Sequence, residues 1–362
     1  MADLVRRGER VVPAPAASIV ILVLDRVDRL AGCLRALAAM PGEPSHEVIV
    51  VGNGTSEEVL AALPEPENLV VVPSPLNLGF AGGCNWGARF ARGRHLVFLN
   101  DDTEVEPGWL AALVDVAESD PRIGAVGSRL LDPDGTLQEA GSVLWSDAGT
   151  HQVGRGLPPG SAAHDRVRDV DYCSGCGLLV RREAWDLAGG FDEAYYPAYF
   201  EDVDLCLTLR SHGFRTVYAP RARLVHHRGS STSPELRTRL GLRSGHRFIA
   251  KWGDALRDFD PPPRGRDLDA AVAAAVLRAE QRPLPPLAAL RGPLRPVPAP
   301  TEVDLLRAQV RALQGAQALL EDELRPLRRE HAQVERLRRA ARRVPGGRRG
   351  TAWLSRRLGP GS

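Results

Sequence analysis

The chain has 362 residues, of which 43% are hydrophobic and 25% are charged, and its formal net charge is +2. This composition supports a sizeable folded core and excludes a chain that is disordered throughout. Residues 325–362 carry twelve arginines against two glutamates, a local charge of +10, so residues 1–324 carry −8. An acidic body argues against general nucleic-acid binding, whereas the basic end suits an anionic membrane surface or an acidic partner.

Cysteine usage and the lengths of the apolar runs favour a cytoplasmic protein. The N-terminal residues lack the charged region, apolar run and small-residue cleavage site of a signal peptide. The longest apolar runs, such as Ser18–Leu24, are far shorter than the roughly 20 residues needed to cross a bilayer. The cysteines are scattered and odd in number, which favours free thiols in a reducing compartment: Cys33, Cys84, Cys173, Cys176 and Cys206. We expect the cytoplasm, with peripheral contact to the inner leaflet of the cell membrane through the basic end.

From residue 18 onward, short β-branched runs alternate with helical stretches. The runs SIVILVL, EVIVV, LVVVP and HLVFLN are typical of strands, and Leu30–Met40 and Ala81–Arg92 are typical of helices. Hydrophobicity within these strands is continuous, so both faces should be buried in an α/β fold with a mainly parallel sheet flanked by helices. Ligands of such sheets bind beyond the carboxyl ends of the strands.

The remaining chain divides by composition. We predict a flexible N-terminus at 1–16 and one α/β domain at 17–255, in which the polar stretch from Thr150 to Arg168 is a loop on the acceptor side. Residues 256–301 are predicted to be a proline-rich linker with a short helix at Leu268–Glu280. A basic disordered tail is predicted at 344–362.

Apolar residues at heptad spacing predict a helical or coiled-coil appendage at 302–343, which suits pairing of two copies of the chain. Pro326 and the polar residues at two heptad positions, Gln317 and His331, limit its length. The heptad residues are Val303, Leu306, Val310, Leu313, Leu320, Leu324 and Leu327.

Asp101 and Asp102 follow the predicted strand HLVFLN directly. Adjacent carboxylates at a strand end repel each other unless a cation neutralises them, so the pair indicates a hard divalent ion, Mg²⁺ or Mn²⁺. The alternative is capping of the helix that begins near Pro107.

A second acidic group, Glu201-Asp202-Val203-Asp204, follows the aromatic stretch YYPAYF and opens a predicted helix. Acidic residues are common in the first turn of a helix, so capping is the ordinary interpretation. The aromatic residues before the group would also desolvate a carboxylate and favour a general base there.

Three further patterns carry candidate chemistry. His226-His227-Arg228 ends the predicted strand LVH, where an imidazole can complete a metal site and an arginine can contact phosphate, with Arg243 as a further positive charge. Cys173 and Cys176 fit either a redox or zinc site or two packing thiols, and the absence of a second such pair favours packing. The run Gly79–Gly83 does not have the spacing of a dinucleotide-binding fingerprint.

The order and spacing of these segments resemble the family-2 type nucleotide-sugar glycosyltransferases with the GT-A fold, particularly bacterial rhamnosyltransferase-like members. The resemblance covers about residues 17–255. The segments that carry it are SIVILVLDR, VVGNGT, NLGFAGGCNWG, LNDDTEVEPGWL, GGFDEAYYPAYFEDVDLCLTLRSHGF and LVHHRGSS.

The resemblance implies an inverting, metal-dependent sugar transfer from a nucleoside diphosphate sugar to a glycan or lipid-linked acceptor in cell-surface polysaccharide synthesis. It implies that Asp102 and His226 hold the metal ion, that Asp202 is the base, and that Glu201 assists it. Weaker roles at the acceptor or phosphate are implied for Asp204, His227, Arg228 and Arg243. The nucleotide contacts implied by it are Asp25, Asn53, Asn77, Gly79, Phe80, Gly83, Asn85 and Asp101.

Gly52 departs from the pattern, because that position usually holds an aspartate that contacts the pyrimidine base. The donor of first choice is dTDP-rhamnose. Two alternatives are a nucleotidyltransferase and a catalytically degraded scaffold that acts through its coiled coil and basic tail. The first would need a glycine-rich basic loop after the first strand, where this chain has Asp25-Arg26-Val27-Asp28.

Overall fold

The computed structural model describes residues 6–7, 14–24, 26–63, 68–228, 233–263, 265, 267–288 and 300–342. The chain divides into two compact units, Met1–Ala312 and Leu313–Ser362. The strands within the described ranges are β1 (Arg6–Arg7), β2 (Ala17–Val23), β3 (His46–Asn53), β4 (Leu69–Ser74), β5 (His95–Asn100), β6 (Thr103–Val105), β7 (Ile123–Leu131), β8 (Leu137–Glu139), β9 (Ser142–Leu144), β10 (Thr150–Gln152), β11 (Arg168–Asp169), β12 (Gly177–Arg181) and β13 (Arg215–His226). The helices there are α1 (Val27–Ala38), α2 (Glu57–Ala61), α3 (Gly79–Ala88), α4 (Trp109–Ser119), α5 (Arg182–Ala188), α6 (Glu201–Ser211), α7 (Pro234–Trp252), α8 (Leu268–Gln281) and α9 (Glu302–Arg342).

The predicted α/β architecture with a mainly parallel central sheet is confirmed. The main sheet has the order β1-β4-β3-β2-β5-β12-β7-β13-β11, and β6 and β8 pair with β13 and β7. Strands β4, β3, β2 and β5 are parallel, β12 is antiparallel to both neighbours, and β13 is parallel to β7. The strand order reverses between β2 and β5, and in open sheets of this kind that position marks the ligand crevice.

Helices cover both faces of this sheet, which explains why its strands are hydrophobic throughout. Helices α1 and α4 pack on one face, where Trp109 and Leu30 are fully buried. Helices α3, α5 and α6 pack on the other face against Phe98 and Leu178. The parallel strands β2, β3 and β5 therefore present only their carboxyl ends to a ligand.

Two features differ from the sequence-based prediction. The stretch from Thr150 to Arg168, predicted to be a loop, contains β10 and a 3-10 turn at Ala162–His164. It is fastened by the buried Arg129, which donates to the His164 carbonyl at 2.6 Å and to the Asp165 carboxylate at 2.9 Å. A contact between residues so far apart in sequence leaves no local signal.

The C-terminal appendage is one helix of 41 residues, α9, and it continues through Pro326. Its first turns belong to the first unit, because Leu305, Ala308 and Ala312 are buried in the core cluster beside α3. Ion pairs join Asp304 to Arg89 at 3.1 Å and Arg311 to Glu193 at 2.6 Å. The helix therefore starts as part of the α/β body.

Across the described part of the chain, none of the helices combines the length and apolar character needed to cross a membrane. The basic tail predicted at 344–362 lies outside the described residues.

Candidate active site

The turn before α3 is fixed by Asn53 at the end of β3. Its side-chain oxygen accepts a hydrogen bond from the Leu78 N–H at 2.7 Å, and its amide donates to the Gly79 carbonyl at 3.1 Å. The same amide lies 3.2 Å from Asn77 Oδ1, which accepts from the Gly79 N–H at 2.8 Å. Asn53 is buried and Asn77 is exposed. The structure therefore gives Asn53 the role of shaping the turn and leaves Asn77 at its surface.

Close packing explains two of the predicted glycines. Gly79 has φ +72°, and a Cβ there would lie 2.8 Å from the Pro197 carbonyl oxygen. That oxygen also accepts the Phe80 N–H at 2.8 Å, which joins the turn to the aromatic stretch before α6. At Gly83 a Cβ would lie 3.0 Å from Leu22 and 3.3 Å from the Asn53 amide nitrogen. Both glycines thus permit close backbone approach.

Gly52 lies beside Leu60 of the short helix α2, an element that the sequence analysis did not predict. A Cβ at position 52 would lie 2.5 Å from Leu60 Cδ1 and 2.9 Å from Cδ2. Leu60 is buried at 4% exposure and occupies the space that a side chain at 52 would enter. The departure at Gly52 is therefore matched by a neighbouring large side chain.

The side-chain amide of Asn85 is hydrogen-bonded to the segment that precedes the aromatic stretch. It donates to the Phe191 carbonyl at 2.9 Å and to Glu193 Oε1 at 3.0 Å, and it accepts from the Phe191 N–H at 2.9 Å. In the structure Asn85 is a positioning residue that ties α3 to this segment. Asp25, another predicted nucleotide contact, lies outside the described residues.

Asp102 and His226 are brought together at the ends of β5 and β13. The distance from Asp102 Oδ1 to His226 Nε2 is 3.2 Å, and Asp102 is 7% exposed. His226 Nδ1 lies 2.7 Å from Gln138 Oε1, while the Gln138 amide donates to Asp132 Oδ1 at 2.8 Å. Because Asp132 only accepts, this orientation makes Gln138 Oε1 the acceptor of the Nδ1 hydrogen and leaves Nε2 facing Asp102, with the Asn100 side-chain nitrogen at 3.4 Å.

Such a histidine, held through its other ring nitrogen, is the usual arrangement of a metal ligand. Asp101 is half-buried beside the pair. The described residues contain no group of three or more His, Cys, Asp or Glu side chains arranged for a metal ion. A cation held here by Asp102 and His226 would need further ligands from a bound molecule or water.

The segment 173–176 connects this pair to the second acidic group. The Asn100 N–H donates to the Cys176 carbonyl at 3.2 Å, and the Gly175 N–H donates to Asp202 Oδ2 at 3.1 Å. A Cβ at Gly175 would lie 3.1 Å from the Phe80 ring and 3.7 Å from Asp202 Cβ. The turn before α3, the end of β5 and the start of α6 therefore meet around one short segment.

Asp202 is half-buried at the N-terminus of α6. Burial raises its pKa above the usual range, and hydrogen bonds from the Gly175 and Val203 N–H groups oppose that rise. The position at a helix N-terminus also favours the charged form. Asp202 therefore combines access to solvent with a carboxylate that can take up a proton.

Glu201 lies deeper, at 6% exposure, and its Oε2 has no hydrogen-bond partner among the described residues. Burial raises its pKa well above the usual range, and the charge of Asp202 adds to the effect. Burial therefore favours the neutral form of Glu201. Of the two predicted catalytic carboxyls, only Asp202 is suited to be a base.

Glu139 is a candidate site residue that the sequence analysis missed. It is 1% exposed, its Oε1 accepts the Ser174 N–H at 2.9 Å, and its Oε2 has no partner among the described residues. Burial raises the pKa of Glu139 to about 7, with a further increase from Asp202. Adjacent N–H groups, those of Ser174 and Gly175, thus hold the carboxyls of Glu139 and Asp202.

The sequence analysis also missed Gln138, and one reason applies to both residues. Successive side chains of a strand point to opposite faces of the sheet. In β8, Gln138 therefore points to His226, and Glu139 points to the opposite side, where it forms a carboxyl cluster with Glu201 and Asp202. A polar pair after a turn is an ordinary feature of an exposed strand. Only the burial of all three β8 residues, which the sequence does not reveal, distinguishes it.

Asp204 is a weaker predicted site residue, and its side chain is hydrogen-bonded within the protein. Its carboxylate accepts hydrogen bonds from Tyr195 Oη at 3.1 Å, Trp252 Nε1 at 2.7 Å and Lys251 Nζ at 2.8 Å. It is 2% exposed. These three bonds fix α7 and the turn at Glu193–Tyr195 against α6.

The remaining predicted phosphate contacts have protein partners. His227 Nε2 lies 3.0 Å from Glu104 Oε1 at the surface, and Arg228 pairs with Asp132 at 3.2 Å. Arg243 donates to the Tyr196 carbonyl at 2.9 Å. None of the three points to a phosphate by its geometry, so those roles stay predictions.

Cys173 and Cys176 are free, buried thiols. Burial raises the pKa of both well above the usual range, which makes them unreactive. The functional part of this segment is the backbone between them, whose N–H groups hold Glu139 and Asp202.

A sheet with a reversal of strand order, covered on both faces and carrying acidic groups beyond its carboxyl ends, is a doubly wound α/β fold, the architecture to which the GT-A glycosyltransferases belong. The fold is similar to that of GalNAc-T7, solved with UDP, GalNAc and Mn²⁺, with a TM-score of 0.50 and 15% identity over 68% of this chain and 50% of that one. Residues 14–245 match the model of the family described as Glycosyltransferase like family 2, and the chain belongs to that family.

Among curated relatives, the chain is 35% identical over 228 residues to the O-antigen biosynthesis protein RfbC of Myxococcus xanthus, a match covering 60% of this chain and 18% of that protein. It is 32% identical over 242 residues to the N-acetylglucosaminyl-diphospho-decaprenol L-rhamnosyltransferase of Mycobacterium tuberculosis, covering 59% of this chain and 77% of that protein. The match spans only 18% of the length of RfbC and 26% of the length of another relative, the uncharacterized protein y4gI of Sinorhizobium fredii.

Proposed function

We propose that the chain is an inverting, metal-dependent glycosyltransferase that moves a sugar from a nucleoside diphosphate sugar to a hydroxyl group of a glycan or lipid-linked acceptor. The observation that carries the proposal is the meeting of the Asp102–His226 pair and the Asp202 carboxylate around the segment 173–176. A cation held by the first group would neutralise charge on a leaving diphosphate, while the second group accepts a proton. These are the two tasks of sugar transfer from such donors.

A divalent cation fits the side chains that are present. Asp102 offers a carboxylate oxygen and His226 a ring nitrogen whose orientation Gln138 fixes. A cation held by one or two carboxylates completes its coordination with substrate phosphates, and a nitrogen ligand favours Mn²⁺ over Mg²⁺. When bound, the ion would neutralise negative charge on the diphosphate.

Asp202 is the proposed base. The acceptor hydroxyl gives its proton to the Asp202 carboxylate as its oxygen forms a bond to the anomeric carbon. The bond from that carbon to the diphosphate oxygen breaks, and the nucleoside diphosphate leaves. A single in-line displacement of this kind inverts the anomeric configuration. The Gly175 and Val203 N–H groups hold Asp202 in the orientation that this transfer requires.

Glu201 and Glu139 are proposed to keep the surroundings of Asp202 free of competing charge. Both carboxyls are buried beside it, and burial raises the pKa of each. Protonation of either carboxyl removes a negative charge that would otherwise compete with Asp202.

The donor is proposed to be a pyrimidine nucleoside diphosphate sugar, with dTDP-rhamnose as first choice, because two relatives are named rhamnosyltransferases. Gly52 has no side chain that could contact the base, and Leu60 fills the space beside it. The base should therefore be held more by the shape of the pocket than by a carboxylate. Pairing of two copies through the exposed apolar residues of α9, and membrane contact through the basic end, stay predictions.

The test is release of nucleoside diphosphate from a panel of dTDP-, UDP- and GDP-sugars with a lipid-diphosphate sugar acceptor, in Mn²⁺, Mg²⁺ or chelator. We expect metal-dependent turnover with one donor and, by NMR of the product, an anomeric configuration opposite to that of the donor. Retention of configuration, or metal-independent turnover, would refute the mechanism. Failure of every nucleotide to bind would favour the scaffold alternative.

A further inference from the structure

A cavity of about 500 Å³ lies outside the candidate active site, between the β10 region, residues 163–168 and helix α8. Its volume is within the range of small-molecule binding sites. No residue that lines it belongs to the carboxyl cluster, the Asp102–His226 pair or the turn before α3. The proposed sugar transfer therefore leaves it without a role.

One side of the cavity is apolar. Val153, Val272 and Val276 are buried there and belong to one cluster with Trp145. Leu157 and Leu277 line the same cavity with 45% and 53% of their surfaces exposed. Large exposed apolar side chains next to a cavity are typical of a surface that contacts an apolar ligand.

The other side is basic. It is lined by His151, Arg155, His164, Arg166 and Arg168, whereas Asp269 is the acidic residue among those that line it. Arg166 is neutralised by Glu280 at 2.6 Å. Arg155 is exposed and donates to Gln152, a neutral partner. The cavity therefore has an excess of positive charge at one end.

Arg168 gives the most specific indication. It is 4% exposed, donates to the Ala140 carbonyl at 2.7 Å and the Ala163 carbonyl at 3.2 Å, and stacks on the Tyr218 ring at 4.9 Å. Its Nε has no hydrogen-bond partner among the described residues, and the partners of its other nitrogens are these carbonyls and the His164 ring nitrogen at 3.4 Å. A buried cation with neutral partners only is costly unless an anion joins it.

We propose that this cavity binds one molecule of an anionic amphiphile, an aliphatic chain that carries a phosphate group. The phosphate contacts Arg155 and Arg168, because a guanidinium group can donate two hydrogen bonds to phosphate oxygens. The chain lies along Val272, Val276 and Leu277, since the removal of apolar surface from water favours binding.

The test is calorimetric titration of the full-length protein with decyl phosphate below its critical micelle concentration. We expect a 1:1 complex, and binding at least tenfold weaker for decyl maltoside, which has no charge, and for inorganic phosphate, which has no chain. Both comparisons are needed because the proposal requires both halves of the ligand.

Two surface variants probe the two ends without touching buried residues. Leu277→Asp and Arg155→Gln should each weaken decyl phosphate binding at least fivefold, while the controls Leu242→Asp and Arg257→Gln, equally exposed on α7 and beyond it, should not. Circular dichroism confirms that each variant is folded. Equal binding of the neutral amphiphile or of phosphate alone, binding to anionic vesicles but not to the monomer, or no effect of both variants would overturn the proposal.

Discussion

Asn53 and Asn85, on the proposed donor side, place their amides wholly in hydrogen bonds within the protein, whereas Glu139 and Glu201, on the proposed acceptor side, each keep one buried oxygen without a partner among the described residues. The donor-side turn is thus built for close fit, with glycines where a Cβ would collide. The acceptor side holds carboxyls whose burial costs stability. Unsatisfied buried groups in a native fold are typical of functional sites.

The two sides of the site should therefore respond differently to mutation. Changes on the donor side should act mainly through packing and therefore through stability. Changes in the carboxyl cluster should act on proton transfer, and some should leave stability unchanged or improve it.

The largest expected effect separates two neighbouring aspartates. Asp202→Asn should lower turnover by about 10²- to 10⁴-fold, because it removes the proposed proton acceptor and keeps the shape of the side chain. Asp204→Asn should instead lower the free energy of unfolding by about 1–3 kcal/mol, since the buried Asp204 carboxylate accepts hydrogen bonds from three side chains. Steady-state kinetics and urea unfolding of both variants check this pair. An Asp202→Asn enzyme within tenfold of the wild type would break the comparison.

The next effect concerns Glu139 and pH. Its folded pKa of about 7 lies above the ordinary value of 4.5, so the folded state binds the proton more tightly than the unfolded state. Stability is therefore lost as pH rises from about 5 towards 8, by about 2–3 kcal/mol. Glu139→Gln, which can still accept the Ser174 N–H, should remove this part of the pH dependence.

Urea unfolding of the wild type and Glu139→Gln at pH 5 and pH 8 measures the difference directly. Tyr172 and the thiols of Cys173, Cys176 and Cys206 also lie near Glu139, but burial raises the pKa of each above its usual value and keeps it neutral across this interval. The same pH dependence in both proteins would show that Glu139 does not titrate there.

The smallest effect tests the fit at Gly52. Gly52→Ala should destabilise the protein by about 1–3 kcal/mol, because the new Cβ collides with the Leu60 methyl groups. In a Leu60→Ala background the same change should cost little, since the space has been vacated. A double-mutant cycle on the free energy of unfolding measures the coupling. Additive effects would mean that Leu60 does not occupy the space of a side chain at 52.

Much of the fold was predictable because its signals are local. Continuous β-branched runs gave the parallel strands β2, β3 and β5, and helix α8 begins at Leu268 as expected from composition. Helix α2 was missed because Glu57–Ala61 is only five residues long. The path of α9 through Pro326 was also missed, since proline normally ends a helix.

The candidate site was predictable where chemistry follows a strand directly, as at Asp102 and His226. It was not predictable at Gln138 and Glu139, whose partners His226 and Ser174 come from β13 and the segment before β12. Nor does a sequence show that Asp204 is a packing residue while Asp202, two positions earlier, is half-buried. Which carboxylate of an acidic helix start faces a ligand depends on tertiary contacts alone.

The most direct test of the account is thermal stabilisation by dTDP, UDP and GDP with and without Mn²⁺ or Mg²⁺, for the wild type, Asp102→Asn and the control Glu104→Gln. Glu104 is an exposed carboxylate beside the same strand end, so both variants lose one negative charge. A ligand at 100 times its Kd stabilises the folded state by about 2.7 kcal/mol. We predict a metal-dependent shift with one nucleotide that Glu104→Gln keeps and Asp102→Asn loses. A shift that needs no metal, or that persists in Asp102→Asn, would contradict the account.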